Sequence, residues 1–190
     1  MCGGVKYTDK QNKTWTVYFP SPKAALPVLK NDGEIEWITW GKRKEEDVPQ
    51  FPNGGWARLD SIKQGKWQRY QPRPVLLPVH SFMEKDHDKA SHWFDLQAGE
   101  FLQGLLTIQN DIRRVYVVTT DTPDEYSYIH DRWPRVIQRE AWIPWKPLLI
   151  ITDSNCTGNL LSKTSYLSSI YPLIFQEFIA LQLSDFNNKY

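Results

Sequence analysis

The sequence predicts an α+β fold: one domain with a strand-rich, barrel-like sheet core, interspersed helices and a helix near the C-terminus. Three observations carry this. Short runs of β-branched and aromatic residues recur from residue 14 to residue 120. Helical patterns interrupt them without a regular βαβ rhythm. A chain of 190 residues, 41% of them hydrophobic, suits a single domain over 1–190 with a sizeable core.

Taken in order, residues 14–19 alternate and predict a strand. Residues 26–29 and 35–40 flank Asn31-Asp32-Gly33, where Asp-Gly supplies the positive φ angles of a tight hairpin turn. A charged loop over 41–47 and an irregular segment over 49–55 follow. Over 57–70, Leu59, Ile62 and Trp67 are interleaved with Arg58, Lys63, Lys66 and Arg69, the pattern of a short basic amphipathic helix weakened by Gly65. Four short strands are expected at 75–79, 82–85, 93–96 and 105–108. His87 and His92 flank a polar loop, as solvated side chains rather than metal ligands. Residues 115–120 are a strong β run. Thr122-Pro123 opens a short helix over 121–128, residues 135–137 read as a strand, and 140–145 as a helical turn ended by Pro144 and Pro147. Leu167, Ile170, Ile174, Phe178 and Leu181 have helical spacing over 165–183, where Pro172 marks a kink or the true start.

Composition excludes several functions. The formal charge is +1, so no global field draws the chain to nucleic acid or membrane, and a polyanion site has to be a local patch. Two cysteines, Cys2 and Cys156, without a CxxC spacing suggest neither a disulfide framework nor a zinc cluster. No apolar run approaches about 18 residues and the N-terminus lacks a signal-type apolar region, so a soluble, cytoplasmic protein without membrane contact is expected. Nine tryptophans and nine tyrosines imply a heavily aromatic core first, with a few rings for stacking on bases.

Reactive chemistry concentrates at Met1-Cys2-Gly3. Removal of a start methionine before a small residue leaves Cys2 with a free α-amine, titrating near neutrality, beside a thiol of pKa about 8.5. The pair condenses with an aldehyde, amine first as an imine and thiol second, to close a thiazolidine. The thiol alone attacks an acyl group instead. Two further constellations stand out. Glu84 lies in Pro78-Val79-His80-Ser81-Phe82-Met83-Glu84-Lys85, and a histidine, an acid and an arginine adjoin in Ile129-His130-Asp131-Arg132-Trp133-Pro134. Taken alone, the second also suits a structural salt-bridge cluster.

In this order the motifs resemble the SRAP family (SOS response-associated peptidase), the abasic-site-processing proteins. Met1-Cys2-Gly3 is similar to the family's Met-Cys-Gly-Arg opening, and Trp40-Gly41 to its Trp-Gly step. Ala57-Arg58-Leu59-Asp60 is similar to Asn-Ala-Arg-x-Glu. Residues 73–84 resemble Arg-Cys-Leu-x-Pro…Phe-Tyr-Glu-Trp, and Thr119-Thr120 through Pro134 resembles Thr-Thr…Ile-His-Asp-Arg-Met-Pro. The match spans residues 1 to about 145, and 146–190 form an unmatched, helical extension. Gly4 replaces the family's arginine, Trp56 stands where it has an active-site asparagine, Asp60 replaces glutamate and Lys85 replaces tryptophan.

The resemblance implies a monomer that binds single-stranded DNA containing abasic sites and crosslinks to it through Cys2, with lyase-like chemistry that needs no metal or organic cofactor. The chain would associate with the nucleoid when bound. Cys2, Glu84 and His130 would be catalytic: Glu84 relays protons, and His130 protonates or stabilises the sugar hydroxyl and serves reversal, with Asp131 orienting it. Arg58 and Arg132 would hold phosphates, with Trp56 or Trp133 against exposed bases. "Peptidase" in the family name refers to removal of what precedes Cys2. The alternative is an N-terminal-cysteine amidohydrolase of the class II glutamine amidotransferase type, for which Asn53-Gly54-Gly55 would supply an oxyanion hole.

Overall fold

The computed structural model describes residues 3–139, all within the first of two units into which the chain divides, Met1–Glu140 and Ala141–Tyr190. The helical turn expected at 140–145 and the helix expected at 165–183 lie outside the described residues. The elements are β1 Gly4–Thr8, β2 Thr14–Tyr18, β3 Ala25–Leu29, β4 Ile35–Thr39, β5 Trp56–Arg58, the helix α1 Leu59–Lys63, β6 Arg73–Leu77, β7 Ser81–Lys85, β8 Ser91–Asp95, β9 Glu100–Gln109, β10 Ile112–Asp121, β11 Arg132–Pro134 and β12 Val136–Gln138.

They form two sheets. The smaller has the order β2-β1-β7-β8 and is antiparallel throughout. The larger runs β11-β10-β9-β6-β3-β4, with β12 also on β9 and β5 pairing parallel to β10. The strand-rich expectation is met, but the barrel-like core is corrected to two open sheets. After β4 the chain touches β10 through a single bridge, Trp40 to Val115, with the Gly41 N–H on the Val115 carbonyl at 2.8 Å. Gly41 then takes φ +55, a left-handed turn that leads the chain away before a ladder can form.

Alternation explains the packing. Val5 and Phe82 of the smaller sheet share one core cluster with Leu26, Val28, Ile38, Leu77, Leu102, Leu106, Val115 and Val117 of the larger. Tyr116 turns to the opposite face of β10, where Trp67 meets it edge-on at 5.1 Å. Trp67 comes from the stretch expected to be one long helix over 57–70. The structure instead makes β5, the five-residue α1 and a 3-10 turn at Gln68–Tyr70. Gly65 has φ +74, which no right-handed helix accommodates, so the helix stops. Likewise 121–128 is not a helix: β10 runs through Asp121, Pro123 is extended at ψ 144, and only Asp124–Tyr126 make a 3-10 turn. His92 is not simply solvated but bonds Asp86 through Nε2 at 2.7 Å. Among the described residues no helix is long and apolar enough to cross a membrane.

Candidate functional site

The site grows from the first described residue. The Gly3 N–H donates to the Met83 carbonyl on β7 at 2.8 Å, and the Gly3 carbonyl accepts the Phe19 N–H at 3.1 Å. Gly3 is thereby clasped between β7 and the end of β2. Cys2, the expected nucleophile, is covalently joined to this anchored residue but lies outside the described residues. Gly3, Tyr18, Phe19, Pro20, Trp56, Met83 and Lys85 line an open groove of about 460 Å³. Trp56 packs edge-on against Phe19, ring centres 4.9 Å apart, so the indole stands at the groove.

Glu84 follows Met83 on β7. Phe82, two residues earlier on the same face, belongs to the core, so Glu84 is carried to the inner side of the sheet. Its side chain is 0% exposed. Burial pushes its carboxyl up to about 7, against the opposing pull of the positively charged amino terminus and with a further push from the Asp131 charge. A carboxyl in that range exchanges its proton readily at neutral pH, which is what a proton relay requires.

His130 is held from one side by its own chain. The Arg132 backbone N–H donates to Nδ1 at 3.0 Å, while the Asp131 carboxylate lies 2.7 Å from the same nitrogen. One nitrogen cannot accept the first bond and donate the second at once. The amide N–H is a donor in every state, and burial, followed by the amino terminus, lowers the His130 pKa. The neutral imidazole with Nδ1 as acceptor and its proton on Nε2 therefore fits. Asp131, with a side chain 85% exposed, becomes the partner only when the ring is protonated. The Asp131 charge acts on both Glu84 and His130.

Three expected contacts to DNA are redistributed. Trp133 is 7% exposed and lies in the core, stacked on Tyr126 at 4.9 Å with Phe82 and Phe94 at its edges. A ring enclosed this way has no face for a base, which corrects the expectation for Trp133. The Arg132 guanidinium is engaged by Asp121 at 2.5 Å, the Thr119 carbonyl at 2.9 Å and Asp60 at 3.7 Å. It ties β11 to β10, and a phosphate would have to compete with these acceptors. Arg58, with its side chain 58% exposed, is bidentate to Asp60 at 3.1 and 2.8 Å. The two arginines and the two aspartates neutralise one another, so the local patch is a paired network rather than a field of free cations. Neither pair was read from the sequence, although Arg58 and Asp60 stand two residues apart, and nothing marked Asp121 as the acid for Arg132.

Thr119 stood in the Thr119-Thr120 element without a role of its own, and its hydroxyl is buried beside this network with no hydrogen-bond partner among the described residues; Tyr18 on the groove went unread. The Gly54 N–H, part of the segment considered as an oxyanion hole, donates to the Lys42 carbonyl at 2.9 Å.

The fold and site define a strand-rich, two-sheet domain with a buried carboxyl at Glu84, an imidazole at His130 and an anchored Gly3. No protein-family model matches the chain, and no curated protein matches it.

Proposed function

We propose that the protein captures abasic sites in single-stranded DNA covalently, through Cys2, as its resemblance to the SRAP family implies. Once Cys2 is N-terminal, its α-amine adds to the aldehyde carbon of the ring-opened abasic sugar, giving a carbinolamine. Loss of water leaves an imine. The Cys2 thiol then adds its sulfur to the imine carbon and its proton to the nitrogen, closing a thiazolidine. One water is released for each crosslink. Glu84, near half-ionised at neutral pH, accepts the proton lost from the attacking amine and returns one to the departing hydroxyl. Neutral His130, with its proton on Nε2, donates to the sugar hydroxyl and assists the reverse reaction.

The surrounding residues have supporting parts. Trp56 borders the sugar and its neighbouring base. Arg58 reaches a phosphate by exchanging Asp60 for it, which costs little because the pair is exposed. Arg132 and Trp133 act as positioning residues that fix the strand following His130.

The observation that carries this reading is the buried Glu84 carboxyl, pushed up to about 7 one residue beyond the carbonyl that anchors Gly3. The testing experiment is denaturing electrophoresis of the purified protein with single-stranded DNA holding one abasic site. A heat-stable adduct is expected, and its absence sinks the reading.

A further inference from the structure

The outer face of the smaller sheet carries a row of four residues, one per strand. Tyr18 pairs with Gly4, Gly4 with Met83, and Met83 with Trp93. Cross-strand partners share a face, and the alternate residues Val5, Phe82 and Phe94 go to the core side. The row therefore faces outward. Met83 is buried, and the Tyr18 and Trp93 rings approach each other edge-on above this row, centres 6.2 Å apart. Gly4 is what permits this. A Cβ there would meet Tyr18 ring carbons at 3.0 and 3.2 Å and lift the ring. Tyr18 stays 49% exposed, and the Lys6 ammonium sits 4.1 Å from the centre of the Trp93 ring.

We propose that this row is a stacking platform for the bases next to the abasic nucleotide, on one side of it. The proposal rests on the function proposed above and extends the same site, since Tyr18 and Met83 also line the groove at Gly3. Single-stranded DNA is the occupant that the chemistry fits. Aromatic faces take any base, and Lys6 and Lys85 flank the row against a single acid, Asp95, so the charge favours a phosphate chain. With Met83 buried, the outward positions of these four strands offer no aliphatic patch for a protein core among the described residues.

The test uses the full chain and a fluorescein-labelled, undamaged oligothymidylate of about 12 nucleotides, within the footprint range of single-strand sites. Fluorescence anisotropy should show Tyr18→Ala and Trp93→Ala binding about tenfold more weakly, the loss expected for one stacked base. Tyr18→Phe should restore affinity, because it keeps the ring. Because Trp93 is only partly exposed, the solvent-facing Tyr18 pair keeps the test meaningful if Trp93→Ala fails to fold. Unchanged affinity in Tyr18→Ala, or no binding by the parent chain, overturns the platform. Normal crosslinking of abasic DNA alongside unchanged affinity overturns the platform alone. Ring-dependent binding by a chain that never crosslinks supports the platform and overturns the covalent reading.

Discussion

Replacing Glu84 by glutamine keeps the size of a wholly buried side chain and removes its ionisation. In the folded protein this carboxyl is raised from its ordinary 4.5 to about 7. The folded state therefore holds a proton that the unfolded chain releases. Its stabilising contribution is fully present below about pH 4.5 and is lost as pH rises through about 7. At about 1.4 kcal/mol per pKa unit, the parent protein loses about 3 kcal/mol across that window from this group. Glu84→Gln should not. Urea denaturation at acid and at mildly alkaline pH should show the variant gaining on the parent as pH rises. In the same preparation the crosslinking rate should fall about 10²–10⁴-fold, the usual worth of a general acid–base group. A variant that is less stable by the same amount at every pH, and that crosslinks in proportion to its folded fraction, refutes the assignment.

Other perturbations separate structural from functional roles. Trp133→Ala empties an enclosed aromatic cluster and should cost about 3–5 kcal/mol in chemical denaturation, whereas a base-stacking ring would cost DNA affinity and little stability. Arg132→Ala should destabilise by about 1–3 kcal/mol through its lost bonds to Thr119 and Asp121. Arg58→Ala should change stability by less than about 0.5 kcal/mol and lower the salt dependence of DNA binding by roughly 0.7 in slope. For His130 the folded pKa is depressed, so the folded state resists protonation and stability falls as pH drops below about 6.5. His130→Gln, compared with the parent by denaturation on either side of that pH, should lose less on the acid side.

Much of the fold was legible because strands announce themselves by alternation. Residues 14–19 and the hairpin around Asp32-Gly33 became β2 and the β3–β4 pair almost residue for residue. The failures share a cause. The 57–70 pattern was helical in hydrophobic spacing, but Gly65 needed a positive φ, and Trp67 reached the outer face of β10 from a turn instead. Strand β1 went unread because Gly4-Val5-Lys6 has little local preference, and its partners lie in β2 and β7, the latter far along the chain. Glu84 and His130 could be picked out by motif, yet not the burial that raises the Glu84 carboxyl to about 7. Trp133 was misread because an aromatic ring beside a charged triplet looks the same whether it faces solvent or core.

The most direct measurement compares parent protein and Cys2→Ser on single-stranded DNA with one abasic site, by intact mass and denaturing electrophoresis without borohydride. The account predicts a parent chain lacking Met1, joined to DNA with the loss of one water and stable to heat. It predicts no such adduct for Cys2→Ser, because the oxygen ring closes less readily and opens more easily. An equally heat-stable adduct from Cys2→Ser, or from a parent chain that retains Met1, would contradict it.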